Sequence, residues 1–331
     1  MHYFYRRQDA FRQNSNKFGF VLNFHYLCRV KMLQFKPIQL SDKQAIDACL
    51  AENIYRASDY CFANLFAWQK MFNTNFAIEQ DTLFVRFKNT IGKCSYLFPI
   101  GKMPLEQAVS LIIADTKSNS CDCSFEMRAV TERMWDALEA AMPNVFQFTH
   151  DRATDEYIYT SEKLIGLVGK KLQSKRNHIN RFKKDHPDWE YFKLSHPDDL
   201  RECAEMLDLW ENLNHNDAEL TLRYDYLATK LMLKHFHELN LRGGYIRVNG
   251  KIIAFTIGEP LVKDTFAVHV EKAYAEMNGA YTIINQQFVE NEAADFRYIN
   301  REEDMGLENL RRAKESYYPD ILLQERTVTL K

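Results

Sequence analysis

The stretch GYIRVNGKIIAFTIGE, residues 244–259, shows most directly how the chain folds. Apolar and β-branched residues lie on both sides of Asn249-Gly250, a dipeptide that favours a type I′ turn because both positions tolerate positive φ. The stretch therefore predicts a β-hairpin. DTFAVHVEKA, residues 264–273, follows closely and predicts a third strand. Three strands with short connections indicate an antiparallel sheet in this half of the chain.

Beyond this hairpin, the two halves of the chain predict the same order of secondary-structure elements. LQFKPIQLSDKQAIDACLAEN (33–53) and EYFKLSHPDDLRECAEMLDLWENL (190–213) each predict a strand, a polar break and an amphipathic helix. Strand pairs follow, in the first half within residues 76–88 and 93–100. Each half then predicts helix, strand, helix and strand. Helices interspersed with mixed, mostly antiparallel sheets indicate an α+β fold of two tandem domains, with chance similarity of the halves as the alternative.

The expected boundary lies in or just after the polar stretch HDRATDEYIYTSEK (150–163). We predict a first domain over residues 32–160 and a second over 161–331, the second carrying a basic helix and the active site. Residues 1–31 are basic and have no clear apolar segment of the kind found in secretory signals, so we expect an upstream extension or a disordered arm.

Composition narrows the class of protein. The net charge of −2 is close to neutral, so no overall field indicates a nucleic-acid-binding surface. The seven cysteines are irregularly spaced and paired CxxC or HExxH patterns are lacking, so we propose no metal site and expect a reduced, cytoplasmic protein. No run of about 18 apolar residues is present, so we expect no transmembrane segment.

The segment NREEDMGLENLRRAKESYYP, residues 300–319, concentrates charge. Three acids follow a predicted strand, and a helix is expected from near Met305, with Asp304 as N-cap and Pro319 as stop. Helical spacing places Leu307, Leu310 and Tyr317 on the buried side, and Lys314 projects onto that side with Arg311 at its edge. Two interpretations of Lys314 stay open: an ion pair with one of the acids, or a cation at the floor of a cleft for an anionic substrate.

A basic segment, KLIGLVGKKLQSKRNHINRFKK (163–184), contains eight Lys or Arg and no acid. It is either a solvated helix face or a surface that attracts phosphate groups of nucleic acid or lipid. The nucleic-acid or anion-binding candidates are Lys170, Lys171, Lys175, Arg176, Arg181 and Lys184.

A turn between a strand and a helix, in HVEKAYAEMNGAYTIINQQF (269–288), places Gly279 at the helix start, where backbone N–H groups can bind an anion. In the GCN5-related N-acetyltransferase (GNAT) fold, this position holds the Q/R-x-x-G-x-G/A loop that binds the pyrophosphate of coenzyme A. Here Glu276 stands in place of Gln or Arg, and Tyr281 in place of the last small residue. The fold resemblance is therefore better supported than the cofactor; no cofactor is assigned, and acyl-CoA is kept as an option.

The segments GKKLQSKRNHINRFKK, EKAYAEMNGAYTIINQQF and NREEDMGLENLRRAKESYYP together resemble the phosphatidylglycerol lysyltransferase C-terminal domain family, from about residue 33 to the end. The basic motif is also similar to the Fem-type aminoacyltransferases. The resemblance implies two tandem acetyltransferase-like domains and transfer of an amino acid from aminoacyl-tRNA to an amine or hydroxyl. The multi-helix membrane portion of the lipid enzymes is not found here, so the acceptor stays open between a small molecule, a peptide and a lipid headgroup.

If the resemblance holds, the acidic cluster and the basic helix face one cleft. The catalytic candidates are Glu302, Glu303, Asp304 and His269, although a lone strand histidine is more often a core residue. The substrate-binding candidates are Lys272, Asn278, Gly279, Tyr281, Asn300, Arg301, Arg311, Lys314, Tyr317, Tyr60, Asn64 and Trp68. The last three form one helical stripe, for which a core role is the alternative. An acyl-CoA-dependent N-acyltransferase and a non-catalytic binding module are the competing hypotheses.

Overall fold

The structure is a computed structural model that describes residues 32–89, 91–118, 124–214 and 220–331. The extension or arm expected for residues 1–31 lies outside the described residues. No helix within the described ranges is long and apolar enough to cross a lipid bilayer.

The first sheet is built mainly from the N-terminal half of the chain. Its strands are β1 (Lys36–Pro37), β2 (Asn75–Glu79), β3 (Thr82–Lys88), β4 (Cys94–Leu97), β5 (Ile100–Gly101), β6 (Glu126–Thr131), β7 (Phe146–His150) and β15 (Glu325–Leu330). The order is β1-β2-β3-β4-β6-β15-β7, and β5 pairs with β3. The β2–β3 hairpin turns at Gln80 and Asp81, whose φ angles are 49° and 54°.

The second sheet is built mainly from the C-terminal half. Its strands are β8 (Glu156–Thr160), β9 (Glu190–Lys193), β10 (Arg242–Val248), β11 (Lys251–Val262), β12 (Thr265–Ala273), β13 (Tyr298–Asn300) and β14 (Ile321–Leu323), in the order β14-β8-β13-β12-β11-β10-β9. The predicted hairpin is confirmed: Val248 pairs with Lys251, and Asn249 and Gly250 have φ of 50° and 74°.

Helices flank both sheets. They are α1 (Lys43–Leu50), α2 (Phe62–Phe72), α3 (Leu105–Ser118), α4 (Glu132–Ala141), α5 (Ser161–Gly166), α6 (Gln173–Asp185), α7 (Pro197–Asn214), α8 (Leu220–Lys234), α9 (Ala280–Glu292) and α10 (Glu308–Glu315). Helix α2 packs against α8, with Phe66 edge-on to His235, and α9 packs on the second sheet through Ile283 and Phe288. The α+β class with mostly antiparallel sheets is thus confirmed.

The two sheets share one pattern of pairing directions. When the first sheet is read from β1 and the second from β9, three antiparallel pairings are followed by one parallel pairing and two antiparallel ones; the parallel pairs are β4 with β6 and β12 with β13. This correspondence makes the two halves structural repeats, as the repeated order of elements in the sequence predicts.

The sheets also exchange strands. The chain leaves β7 in the first sheet and enters β8 in the second, and later leaves β14 in the second and enters β15 in the first. The domain boundary at residue 160 stays a prediction. The sheets do not divide at that residue, because β8 before it belongs to the second sheet and β15 after it belongs to the first. Each crossing begins its new strand with a glutamate, Glu156 in β8 and Glu325 in β15, and both side chains are buried. The crossings therefore bring acids from distant parts of the chain together.

The last helix begins later than expected. Met305 and Gly306 have φ of 52° and 75°, so the backbone turns through left-handed conformations before α10 begins at Glu308. Leu307, not Asp304, is the N-cap, which corrects the expected cap. The predicted helical phase agrees with the structure: Lys314 is buried and Arg312 is exposed.

Candidate functional site

A cavity of about 400 Å³ lies where the two sheets exchange strands. Helix α2, the loop before it and the segment after β13 supply much of its wall. Its polar lining residues are Ser58, Asp59, Asn64, Thr74, Asn89, Arg128, Asp151, Thr154, Glu302, Glu303, Glu325, Arg326 and Thr327. Its apolar lining includes Leu65, Trp68, Met71, Phe72, Val85, Phe87 and Leu97. The cavity can therefore hold a ligand that has both a charged group and an apolar part.

The segment after β13 brings two acids to this cavity. Glu302 has φ of 59°, so the chain bends sharply after Asn300, whose side-chain oxygen accepts a hydrogen bond from the Glu302 backbone N–H. Lys314 holds the bend from behind: its ammonium donates to the backbone carbonyls of Arg301, Glu302 and Glu303. The bend is thereby fixed, and the Glu302 and Glu303 side chains line the cavity.

Lys314 thus occupies neither of the two positions expected for it. Its ammonium is within salt-bridge distance of no carboxylate among the described residues, and its side chain does not line the cavity. The physical reason is that three carbonyl oxygens of a tight bend converge on the buried side of α10 and need a donor. Burial lowers the pKa of Lys314 to about 8, with attraction to Glu303 opposing that shift.

Asp304 and Arg311 likewise point away from the cavity. Asp304 is fully buried; Arg311 donates to both of its oxygens, at 2.8 and 3.1 Å, and the Tyr157 hydroxyl donates at 2.6 Å. Although burial opposes ionisation, the hydrogen bonds from Arg311 and Tyr157 hold the pKa of Asp304 below its usual value. The structure therefore gives Asp304 a structural ion pair rather than the position of a base.

Glu302 is held by two side chains. Asn64 donates from Nδ2 to Glu302 Oε1 at 2.9 Å, and His269 Nδ1 lies 2.7 Å from the same oxygen. His269 is buried to 1% exposure, and its Nε2 lies 3.2 Å from Glu259 Oε1. The predicted candidates Asn64, Glu302 and His269 are thus brought into one hydrogen-bonded network, and Asn64 and Trp68 both line the cavity.

Five carboxyl groups crowd this region, those of Asp59, Glu156, Glu302, Glu303 and Glu325. Oxygens of Asp59, Glu156 and Glu325 lie within 4.8 Å of one another. Desolvation and the neighbouring acids raise the pKa of Asp59 to about 6, of Glu303 to about 7 and of Glu156 to about 8, and raise that of Glu325 well above its usual value. Repulsion among buried carboxylates adds to the cost of desolvation in each case.

The carboxyl groups differ in how fully they are hydrogen-bonded. Glu156 accepts hydrogen bonds from the Ser58 backbone N–H, the Ser58 hydroxyl and Asn300 Nδ2. Glu325, only 8% exposed, leaves its Oε1 without a hydrogen-bond partner, and the Oδ1 of Asn64 is likewise unpartnered. A bound cation that donates hydrogen bonds, such as a protonated amine, would satisfy these oxygens and favour the ionised acids.

Other predicted substrate-binding residues lie away from the cavity. Tyr60 is a core residue whose hydroxyl donates to the Ala129 carbonyl and accepts from the Phe98 N–H. Lys272 is buried, lies over the Trp210 ring and pairs with Asp225. Tyr281 accepts a hydrogen bond from the Trp210 indole N–H, and Arg301 forms an ion pair with Glu271. The Tyr317 ring packs against the ring of Tyr159.

The predicted anion-binding turn is covered by another helix. Gly279 is the N-cap of α9 and has φ of 93°, but a Cβ on it would lie 2.5 Å from the His178 carbonyl oxygen of α6. Asn278 is hydrogen-bonded to His178 through its side chain. The close approach of α6 therefore occupies the surface where a pyrophosphate would bind.

The basic segment does not reach the acidic cavity. None of the residues lining the cavity belongs to it, which corrects the expectation of one shared cleft. Lys175 packs on the Tyr317 ring, and burial lowers its pKa to about 8. Arg176 donates to backbone carbonyls at the end of α5, and Arg181 pairs with Asp185. Lys170, Lys171 and Lys184 remain exposed on this surface.

Sequence reasoning missed several residues of the site: Ser58, Cys61, Asp59, Glu156, Glu259 and Glu325. One signal was available for two of them. Glu156 and Glu325 occupy the same place in the two repeats, at the start of the strand that crosses between sheets. A charged residue repeated at the start of a strand with a buried pattern indicates a buried polar role.

Comparisons with known proteins agree with this architecture. A family profile described as phosphatidylglycerol lysyltransferase, C-terminal, matches residues 52–326. A conserved protein of unknown function from Bacteroides thetaiotaomicron is 39% identical, with a TM-score of 0.84 over 91% of this chain and 100% of that chain. L-PGS from Bacillus licheniformis has a TM-score of 0.56 at 15% identity, over 84% of this chain and 93% of that chain, and shows a shared fold.

Two further matches are consistent with these. A C-terminal domain (DUF2156) from Agrobacterium fabrum has a TM-score of 0.61 at 11% identity, over 88% of this chain and 92% of that chain. An uncharacterized protein of Mycoplasmoides gallisepticum is 24% identical over 189 residues, which is 55% of this chain and 58% of that protein. The chain thus matches less than two-thirds of the length of that curated relative.

Proposed function

This chain belongs to the phosphatidylglycerol lysyltransferase C-terminal family and has its GNAT-like acyltransferase fold; from that premise we propose that it transfers an aminoacyl group from an aminoacyl-tRNA to an amine or hydroxyl acceptor. The observation that carries the proposal is the cavity lined by Asp59, Glu302, Glu303 and Glu325, with an unpartnered oxygen on Glu325.

An aminoacyl group fits the chemistry of this cavity. Its α-amino group is protonated near neutral pH and would be attracted by the crowded carboxylates. Its side chain would extend toward the apolar wall formed by Trp68, Phe72 and Phe87. An acetyl or other simple acyl group carries no positive charge and would leave the acids without a counter-ion.

The proposed transfer is a displacement at the aminoacyl ester. The acceptor nitrogen or oxygen forms a bond to the carbonyl carbon, and the bond from that carbon to the ribose oxygen of the tRNA breaks. The proton leaves the acceptor for a base and is returned to the departing ribose oxygen. Glu303 suits the base role because it lines the cavity and its pKa is raised to about 7. Arg128 and Arg326 are cations that also line the cavity and can stabilise the developing oxyanion.

Two features favour a tRNA donor over an acyl-CoA donor. Helix α6 covers the turn at Gly279, where the GNAT cofactor would place its pyrophosphate, and Glu276 in that turn would repel it. Exposed lysines of the basic segment, Lys170, Lys171 and Lys184, can contact the phosphates of a large nucleic acid that extends beyond the cavity.

The test is transfer of labelled amino acids from a pool of charged tRNAs to candidate amines, hydroxyl compounds, peptides and lipids. We expect transfer by the wild-type protein and a loss of about 10²–10⁴-fold in Glu303→Gln, the range for removal of a general base. Glu308→Gln is the matched control, since Glu308 is exposed on α10.

Binding measurements separate the donors. Filter binding of charged tRNA should weaken steeply as salt rises, because phosphate contacts release counter-ions. Micromolar binding of acetyl-CoA in a calorimeter, together with salt-independent or absent tRNA binding, would overturn the proposal in favour of the acyl-CoA enzyme.

A further inference from the structure

A second polar cluster lies beside the cavity and takes no part in the proposed transfer. It consists of Cys61 at the N-terminus of α2, Glu259 on β11 and His269 on β12. Cys61 and Glu259 are at most 8% exposed, and the His269 side chain is 1% exposed. Three different side chains with lone pairs therefore converge in a region with little access to water.

The spacing of the three groups is that of metal ligands. His269 Nε2 lies 3.9 Å from Cys61 Sγ and 3.2 Å from Glu259 Oε1, and the three ligand atoms all lie within 4.8 Å of one another. In a tetrahedral zinc site with ordinary bond lengths, a nitrogen lies about 3.5 Å from a sulfur ligand and about 3.4 Å from an oxygen ligand. A small inward movement of the thiol would complete such a site.

The other nitrogen of His269 is already oriented as in many metal sites. Its Nδ1 lies 2.7 Å from Glu302 Oε1, so a neutral imidazole would donate from Nδ1 to that carboxylate and present the lone pair of Nε2 to Cys61 and Glu259. Asn64 holds the same Glu302 oxygen from the other side. A metal-ligating histidine fixed by a carboxylate is the usual arrangement around zinc.

We propose that Cys61, Glu259 and His269 bind a zinc(II) ion. The mixed sulfur, nitrogen and oxygen ligand set suits this borderline-soft cation better than magnesium or calcium, which take oxygen ligands. In the metal-bound form Cys61 is a thiolate and His269 a neutral imidazole, so the charges of the Cys61 thiolate and the Glu259 carboxylate balance the ion. Three protein ligands leave the fourth tetrahedral position to a water molecule.

The ion would also affect the cavity, because its ligand His269 contacts Glu302 on the cavity wall. A zinc-bound His269 donates from Nδ1 to Glu302, which would hold that carboxylate in one orientation at the cavity wall. The inference stands apart from the transfer reaction, because metal binding is measured without any acyl donor or acceptor.

The test measures zinc in the full-length protein, purified from cells grown with added zinc and dialysed against metal-free buffer. We expect about one zinc per chain, the stoichiometry of one three-ligand site. We expect loss of that zinc in Cys61→Ser and in His269→Gln, and retention in Cys49→Ser, a buried cysteine of α1 outside the cluster. Circular dichroism checks that each variant is folded.

A second measurement does not depend on the variants. Cobalt(II) added to the reduced, metal-free wild-type protein should produce the visible d–d bands of tetrahedral cobalt and a near-ultraviolet thiolate charge-transfer band. Wild-type protein that contains no zinc and gives no cobalt spectrum would overturn the proposal. Zinc that is retained equally by Cys61→Ser and His269→Gln would also overturn it, because the ion would then have other ligands.

Discussion

Replacement of Lys314 by methionine tests how the acidic bend is held. In the wild-type protein the ammonium donates to the carbonyls of Arg301, Glu302 and Glu303 while only 7% exposed. Methionine fills a similar volume but donates no hydrogen bond, so the Arg301 and Glu303 carbonyls lose their donor, while the Glu302 carbonyl still accepts from the Tyr157 backbone N–H. At about 1–3 kcal/mol for each of the two unsatisfied carbonyls, the cost is about 2–6 kcal/mol.

Relief of desolvation offsets part of that cost. The pKa of Lys314 falls from 10.5 to about 8, which corresponds to about 3 kcal/mol at 1.36 kcal/mol per pKa unit. We therefore expect Lys314→Met to lower the free energy of unfolding by about 1–3 kcal/mol at pH 7, the upper part of what remains after that offset. Transfer activity should fall as well, because Glu302 and Glu303 would no longer be held at the cavity.

The assay is urea unfolding at several pH values, followed by fluorescence, with Arg312→Met as control because Arg312 is 73% exposed on the opposite face. Between pH 8 and 10.5 the unfolded chain holds a proton on Lys314 that the folded protein has lost. The titration of Lys314 should therefore raise the free energy of unfolding of the wild-type protein as pH rises through that range. This increase should be absent in Lys314→Met. Equal stability of the two variants, or a Lys314→Met protein as stable as the wild type, would show that the bend does not depend on this donor.

Three further outcomes are expected. Gly279→Ala should lower the unfolding free energy by about 2–4 kcal/mol in thermal unfolding, because φ is 93° and the new Cβ would lie 2.5 Å from the His178 carbonyl oxygen; an unchanged melting temperature would mean that α6 does not cover this turn. Glu325→Gln should stabilise the ligand-free protein by about 1–3 kcal/mol at pH 7. The folded pKa of Glu325 is raised above the unfolded value of 4.5, so the wild-type protein loses stability as pH rises above about 4.5, and urea unfolding of the variant should show a flatter pH dependence. Replacing Lys170 and Lys171 together by alanine should reduce the slope of log affinity for tRNA against log salt by about 0.7–0.9 for each phosphate that the two lysines neutralise, measured by filter binding, while an unchanged slope would place the RNA elsewhere.

Several features of the candidate site could be predicted because their causes are local. The turn at Asn249-Gly250 is set by two residues that tolerate positive φ, and it fixes the pairing of Val248 with Lys251 at the start of the hairpin. The inward direction of Lys314 follows from helical spacing alone. The acids at 302 and 303 follow a strand end, where side chains commonly reach a cleft, and both line the cavity.

Other assignments could not be made from local pattern. Met305 and Gly306 adopt left-handed conformations that move the start of α10 away from Asp304. Arg311 then forms an ion pair with Asp304. The basic segment faces away from the cavity because α6 packs on α9 at Gly279. The direction in which a helix packs depends on residues far away in the chain, which periodicity does not identify.

Local pattern is sufficient for the α+β class, the repeated order of elements and the hairpin turns, because these depend on neighbouring residues and on the alternation of apolar side chains. It does not reveal that Glu156 and Glu325 meet Asp59, or that Cys61 lies beside Glu259 and His269. The first meeting requires β8 and β15 to cross between sheets, and the second requires the N-cap of α2 to lie beside β12. The physical reason is that both sites are assembled by contacts between distant segments, whose pairing is selected by the burial of apolar side chains throughout the fold.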